Sequence, residues 1–419
     1  MDGLAGRETG GVSGPPAGAA GTGGQGLAEA WARARDGLGL DPGLPWAAWL
    51  CTYTPLELII AAGLQPKRML GTPARQGLAD AYLTPNLCPY VRSVLAEALA
   101  GPRPAAAVIA ASCNAMTHLA SVWPSAVGSP AYLLDLPRSS DPSAVRYFAA
   151  CLEGLAAWLE QRGQEEITPA RLEAASEELE AARRTLAAAH RLAVGRAPAL
   201  DGATLLDLAR TAAVTPPARF RGAAEAVLAG ATGPGGVAAE AGPEGSPPHS
   251  ADAAPRRLPK AGRTGPRVLL TGSLVDPALV RILEEAGARV VADDLCLGSR
   301  SYLGLQADVA GGLSRDWPRT REGWFSALAQ RYLAERPPCP RVAGFERRSR
   351  HLDALLRAAR ADGVVAYGLK FCDNSLYDFP AIRAHLARAG VPALLITGDY
   401  GGAGQGHGRP RGGGLLVAR

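Results

Sequence analysis

The sequence predicts an α/β protein with two parallel-sheet lobes and a helical region between them, and three observations carry that prediction. Apolar runs such as Ala105–Ser112 and Val364–Phe371 are each followed by a helical pattern and then by another apolar run. Strand, helix, strand in that order defines a parallel α/β unit. The middle of the chain, 141–230, carries helical periodicity alone. Finally, the two ends echo one another. VIAASCN, a helix and SPAYLLDLP in the first half parallel YGLKFCDN, a helix and VPALLITGDY in the second, the pattern of a weak internal duplication.

Residues 1–26 are rich in glycine and lack an apolar core, so they read as a disordered leader rather than a signal peptide. The first lobe spans 27–140. TPLELIIAAG predicts a short helix with Thr54 as cap, Pro55 at its first position and Gly63 at its end. PNLCPYVRSVLAEALAG places Cys88 at the lip of a helix closed by Gly101. Ala105–Ser112 is a buried strand, NAMTHLASVW a helix, and Ala131–Leu136 the next strand.

In the helical region, 141–230, one helix runs through YFAACLEGLAAWLEQRG and another starts at Thr168–Pro169. The second carries Leu172, Leu179 and Leu186 at seven-residue spacing, with Ala175, Ala182 and Ala189 beside them. That seam needs an apolar partner, either within the chain or on another subunit. The stretch 231–266 has no periodicity and reads as a flexible linker. The second lobe, 267–405, opens with the strand Arg267–Ser273, followed by a helix in DPALVRILEEAGA and a strand at Ala288–Leu295. Then come the turn-rich CLGSRSY, a helix near Trp324–Glu335, the pair Cys339–Pro340 and a basic helix at Glu346–Ala361. Val364–Phe371 is a buried strand leading to Cys372, and a helix at Asp378–Gly390 and the strand ALLITGDY complete the lobe. Residues 406–419 form an atypical tail.

The chain's 419 residues suffice for two or three cores. Its net charge of +5 is concentrated near Arg256–Arg267 and in the tail, which argues against a nucleic-acid surface. No run of about 18 apolar residues offers a membrane span. Seven cysteines, an odd number without dense spacing, fit a reducing cytoplasm better than a disulfide framework.

Three of those cysteines stand out: Cys88, Cys113 and Cys372 each precede a helical pattern directly, and the last two end apolar strands. A residue so placed lies at the carboxyl edge of a parallel sheet, where open α/β folds bind ligands. No Cys-x-x-Cys occurs, so any joint action of these thiols depends on the fold. The alternative is that they are small buried hydrophobes. Two duplicated lobes facing one another would converge Cys113 and Cys372 in the cleft between them.

At these residues the chain resembles the 2-hydroxyacyl-CoA dehydratase and benzoyl-CoA reductase subunit family, specifically its iron–sulfur D-component, over roughly 46–405. The resemblance rests on CTYTPLELIIAAGLQP, NLCPYVRS, AASCNAM, PRVLLTGS, AGARVVADDLCLGSR, RYLAERPPCP, DGVVAYGLKFCD and GVPALLITGDY in that order. It implies two Rossmann-like parallel-sheet lobes with an intervening helical region, and a [4Fe-4S] cluster held between the lobes by Cys88, Cys113 and Cys372. It implies elimination of water from a 2-hydroxyacyl-CoA to give an enoyl-CoA. One electron added to the thioester carbonyl makes a ketyl that expels the α-hydroxyl, after which the β-proton becomes acidic. The electron comes from a separate ATP-hydrolysing iron–sulfur activator, and a second homologous subunit completes a heterodimer. The family's alternatives are benzoyl-CoA reduction and a double-cubane [8Fe-9S] reductase; an alternative of another class is a non-catalytic electron-transfer or heterodimer partner. Three thiolates suit iron and leave a fourth position for water or substrate.

Cys51, Cys296 and Cys339 fall in family-like motifs and are either further site residues or cleft wall, whereas Cys151 reads as core. Gly272 and Ser273 end a strand before a helix that would accept a phosphate of coenzyme A, with simple turn formation the competing reading. Arg300 and Arg347 are further candidates for acyl-CoA contacts, against a solvated role. His118, one turn past Cys113, is a candidate for proton transfer or a helix-surface histidine. Two departures from the family pattern are Asn114, where many relatives carry Asp after the cysteine, and the tail GHGRPRGGGLLVAR, which resembles a shifted reading frame.

Overall fold

A computed structural model describes residues 22–194, 199–231, 265–303 and 319–401. Helix α1, Thr22–Arg35, begins inside the span expected to be a leader. The linker expected at 231–266 lies almost wholly outside the described residues, as does the tail. Among the described residues no helix is long and apolar enough to cross a membrane.

The first sheet is built from β1 (Trp46–Leu50), β2 (Gln65–Arg68), β3 (Ala106–Ala110) and β4 (Ala131–Leu134), with α2 (Leu56–Ala61), α3 (Pro89–Ala100) and α4 (Asn114–Val127) between them. All pairs are parallel and the order is β2-β1-β3-β4. The sequence reading placed no strand at β1 or β2. WAAWL is five residues without a β-branched side chain, and QPKR is polar and contains Pro66. Pairing with β3 overrides the weak propensity of the first, and an edge position tolerates the proline of the second.

Four helices follow: α5 (Pro142–Glu160), α6 (Pro169–Val194), α7 (Gly202–Val214) and α8 (Pro217–Ala231). Asp141 caps α5 by accepting from the N–H groups of Ser143 and Ala144, and Asp201 caps α7 through Thr204. The leucine–alanine seam of α6 is buried inside the chain. Leu172 and Ala175 join the core under the first sheet, whereas Ala182, Leu186 and Ala189 pack with Trp31 and Phe220. The seam's partner is therefore intramolecular.

The second sheet repeats the first. β5 (Arg267–Gly272), α9 (Pro277–Glu285), β6 (Arg289–Asp294), α10 (Arg321–Ala329), α11 (Phe345–Ala359), β7 (Gly363–Leu369), α12 (Asp373–Leu376), α13 (Phe379–Arg388) and β8 (Ala393–Gly398) follow in order. The strands are again parallel, ordered β6-β5-β7-β8. Helix α10 runs on into a π-helical turn, Gln330–Glu335. In both sheets the first and third strands are central neighbours whose connections leave in opposite directions. That is a topological switch point, and ligands bind outside the strand ends there. The shared order supports the duplication read from sequence.

One apolar core runs through both lobes. It joins Leu50 and Ile109 of the first sheet to Leu270 and Leu369 of the second. The outer face of the first sheet packs on α5 and α10 through Trp49, Val108, Phe148 and Phe325. The second sheet's counterpart packs on α11 and α13 through Leu269, Val364, Leu352 and Ile382. Each such fully buried side chain contributes on the order of 2 kcal/mol, so the lobes are held as a pair rather than as separate bodies.

Candidate cofactor site between the lobes

The carboxyl edges of the two sheets meet. Asn374 donates through Nδ2 to the Ser112 carbonyl at 3.2 Å, beside Cys372 and Cys113 respectively. Arg341 donates to the carbonyls of Ala111 and Leu136 at 3.0 Å each, tying the loop after Cys339 to the ends of β3 and β4. Tyr400 donates to the Leu70 carbonyl and stacks edge-on against Tyr90 with centroids 5.1 Å apart. These contacts bridge the two lobes.

Cys88, Cys113 and Cys372 are the residues that immediately precede α3, α4 and α12. Pro89 starts α3, and its fixed φ suits a first helical position. The three thiols lie within one core, Cys88 buried and the other two partly exposed at its margin. Burial pushes the Cys88 thiol up to about 12, the Val91 and Tyr90 N–H groups oppose this, and neighbouring Cys372 and Cys113 reinforce it. Cys113 is pushed up to about 11, again mainly by burial, with the Met116 and Ala115 N–H groups opposing and Cys372 and Cys51 adding to the rise. Each of these two sulfurs is thus met by helix N-terminal N–H groups, which favour a thiolate. The Cys372 sulfur lies 3.5 Å from the Ser375 hydroxyl.

A second trio borders the first. Cys51 follows β1 directly in a left-handed backbone conformation, φ 77°. Cys296 follows β6, and its N–H donates to the Ser273 carbonyl at 2.9 Å. Burial pushes the Cys339 thiol up to about 12, Cys296 and Cys51 add to this, and the Arg300 charge opposes it. Two arginines flank this trio. Arg300 is buried and clamps Asp294 through two bonds of 2.6 Å, donates to the Gly272 carbonyl at 3.1 Å and reaches the Cys296 sulfur at 3.8 Å. Arg336 is buried between the rings of Tyr53 and Tyr332, at 4.9 and 5.7 Å, and donates to the carbonyls of Thr52 and Arg300. Phe371, beside Cys372, is also left-handed at φ 60°. Strained backbone at two strand ends of one cleft is where functional sites store it.

Among the described residues no three His, Cys, Asp or Glu side chains are gathered tightly enough to hold a single metal ion. A cubane cluster is larger than an ion, and its ligating sulfurs stand farther apart. The donor set fits such a group: three soft sulfurs from both lobes, two of them facing helix N-termini, on one apolar floor.

The remaining candidates divide. Gly272 has φ 141°, and a Cβ there would sit 2.2 Å from the Tyr367 carbonyl, so its glycine is required by strand packing. The Ser273 hydroxyl is buried with no hydrogen-bond partner. Arg300 spends its guanidinium on Asp294 and on the Gly272 carbonyl, so it shapes the cleft wall rather than presenting a solvated cation. Arg347 donates to Ser140 and to the carbonyls of Ala334 and Arg336. His118 is exposed on α4, and Cys151 is only partly buried beside Tyr147 on α5. Thr54 does not cap α2; its hydroxyl donates to the Leu50 carbonyl at 3.1 Å, and Pro55 takes the cap position. Sequence reasoning passed over Arg336, Arg341, Asn374 and Arg68. Arginines flanking the Cys339–Pro340 pair were the available signal.

Fold and site together define a two-lobed parallel α/β protein with cysteines gathered at a shared switch-point cleft. The chain belongs to the family described as 2-hydroxyglutaryl-CoA dehydratase, D-component, whose sequence profile it matches over residues 51–413. It is similar to the (R)-phenyllactyl-CoA dehydratase beta subunit of Clostridium sporogenes, with 29% identity over 136 residues, 32% of this chain and 33% of that protein. It is also similar to the lactoyl-CoA dehydratase subunit beta of Anaerotignum propionicum, with 28% identity over 137 residues, 32% of this chain and 33% of the relative. The aligned stretch thus spans about a third of the length of these curated relatives.

Proposed function

We propose that this chain is the iron–sulfur subunit of an ATP-activated 2-hydroxyacyl-CoA dehydratase, a lyase that removes water from a 2-hydroxyacyl-CoA to give an enoyl-CoA. The observation that carries this reading is the meeting of Cys88, Cys113 and Cys372 at helix starts on facing sheet edges. A [4Fe-4S] cluster held by these thiolates would lend one electron to the thioester carbonyl, so that the α-hydroxyl can leave, and would take it back as the enoyl-CoA forms, leaving the loss of water redox-neutral. The chain's own residues do the rest. The helix N–H groups at Cys88 and Cys113 favour the anionic ligands, and the apolar floor excludes water. The bridges from Asn374, Arg341 and Tyr400 hold the lobes closed over it. The partners of this reading are an acyl-CoA substrate, a second homologous subunit and an ATP-hydrolysing activator, acting in the cytoplasm.

Anaerobic purification followed by iron and acid-labile sulfide analysis tests it. Serine at any of the three positions should sharply reduce iron, because a hydroxyl is a harder and far less acidic ligand than a thiol. Serine at Cys151 should leave iron unchanged. Equal iron in all four variants, or an iron-free parent, would sink the assignment.

One observation favours a second reading, the double-cubane [8Fe-9S] reductase. Cys51, Cys296 and Cys339 form a second trio beside Cys113, with the Arg336 cation buried next to Cys51 and Cys339. Here iron would approach twice the single-cluster value, and serine at Cys339 would lower it. An unchanged iron content in that variant separates the readings in favour of the dehydratase.

A further inference from the structure

Arg68 is the last residue of β2, at the carboxyl edge of the first sheet, and it is only 2% exposed. Its guanidinium lies over the Trp49 ring, 4.9 Å from the centroid, the two residues being register partners on neighbouring strands. Nη1 donates to the Cys296 carbonyl of the other lobe at 3.3 Å. Nε is buried and has no hydrogen-bond partner. Among the described residues no carboxylate forms an ion pair with this arginine, whereas Arg183, Arg300, Arg331 and Arg348 each have one and Arg336 donates to two carbonyls. Two further buried donors lack partners nearby. They are Trp49 Nε1, in the ring on which the guanidinium rests, and the hydroxyl of Ser273, whose carbonyl accepts from the Cys296 N–H.

Taking a guanidinium out of water without a counter-charge is unfavourable, and so is burying a polar group without a partner. A fold that leaves one nitrogen of this cation and two neighbouring donors without partners offers a place for an anion. We infer that Arg68, with Trp49 and Ser273 beside it, is a receptor for the carboxylate of an organic acid that binds between the lobes. The charge selects this class. One uncompensated cation balances one negative charge, and the second cation of this region, Arg210, is already within 4.0 Å of Asp276. The walls select it too. Tyr90 and Tyr400, whose hydroxyls donate to the carbonyls of Met69 and Leu70, the first also accepting from the Arg68 guanidinium, make the surroundings aromatic and flat, suited to a planar carboxylate resting beside the remaining edge of a guanidinium fork. A phosphate dianion would need a second free cation beside Arg68, and Arg336 and Arg341, which also form no ion pair among the described residues, are turned to the carbonyls of Thr52, Arg300, Ala111 and Leu136.

The test is thermal unfolding and calorimetry of the full chain at constant ionic strength, with propionate or pyrophosphate replacing chloride. Propionate should raise the melting temperature saturably in the parent. Arg68→Gln, which keeps a donor for the Cys296 carbonyl, should weaken propionate binding by roughly ten- to a hundredfold. Arg68→Lys should retain part of it, and Ser273→Ala, which leaves the charge in place, should weaken it less than Arg68→Gln. The inference is overturned if propionate gives no saturable stabilisation in the parent. It is equally overturned if the response survives in Arg68→Gln, or if pyrophosphate binds more tightly than propionate through the same residue. Should Arg68→Gln fail to fold, an undiminished response in Ser273→Ala would count against the site. None of these outcomes depends on iron content, so the result stands apart from the cluster assignment.

Discussion

Replacing Arg183 by methionine should reverse the way stability responds to pH, because Arg183 is the main counter-charge of a wholly buried carboxylate. Glu57, on α2, is 0% exposed. It accepts from Arg183 Nη1 at 3.1 Å and from the Tyr332 hydroxyl at 2.7 Å, while Arg183 Nη2 donates to that hydroxyl at 2.8 Å. The triangle joins the first lobe, the long α6 and the π-helical turn, so all three must separate for the network to open. Burial alone would raise the Glu57 carboxyl. The Arg183 charge, helped by Arg331, outweighs it and holds the group below its usual value. A depressed carboxyl contributes stability that is present above its unfolded value and lost as pH falls through the folded one. In Arg183→Met burial prevails and the carboxyl rises above its unfolded value, so stability is instead lost as pH climbs through the raised one. Removing one partner of a buried pair costs about 3–5 kcal/mol, toward the lower end here because Arg331 remains. Adding Glu57→Gln should recover much of that loss. Urea unfolding at several values between pH 5 and 8 reads both effects. A variant whose stability runs parallel to the parent across that range, or a double variant no better than the single, would refute the argument.

Three other expectations are more compact. Burial and the nearby Asp201 charge push the Glu284 carboxyl up to about 7, where it accepts from the Gly202 N–H at 3.1 Å. Its contribution is full below the unfolded value and lost as pH rises through 7. The rise from 4.5 to about 7 sets a ceiling of about 3 kcal/mol, and Glu284→Gln should flatten the melting temperature between pH 5 and 8; an unaltered profile would dismiss it. Gly272→Ala forces an L side chain into φ 141° and against the Tyr367 carbonyl, so a loss on the order of 3 kcal/mol or more is expected in urea unfolding, and a near-neutral result would mean β5 and β7 can part. Phe148→Ala empties a fully buried position under the first sheet and should cost about 3–5 kcal/mol by the same measurement; a loss under 1 kcal/mol would mean that the core collapses around the site.

Local patterns made most of the architecture legible. The runs Ala105–Ser112, Ala288–Leu295 and Val364–Phe371 overlap the strands β3, β6 and β7 nearly completely, and they announce themselves because both sheet faces are covered. Pro169 at a helix start and the seven-residue seam did the same for α6, whereas the Thr54 cap read from sequence is not made. What stayed hidden was carried by partners distant in sequence. β1 becomes a strand on the ladder of β3, and β2 on that of β1, which the polar QPKR does not foretell. Spacing marked Cys88, Cys113 and Cys372 as strand-end or helix-start residues, yet their sharing of one core is a fact of how the two sheets face each other. The arginines show the division most plainly. In the sequence Arg68 and Arg336 are two of many basic residues, and Arg300 is a candidate for an acyl-CoA contact. Only tertiary structure decides that one is clamped by Asp294, one lies between two tyrosines, and one is buried on Trp49 with a nitrogen to spare. A charge's role depends on what removes it from water and what then neutralises it, and both are supplied by segments far along the chain.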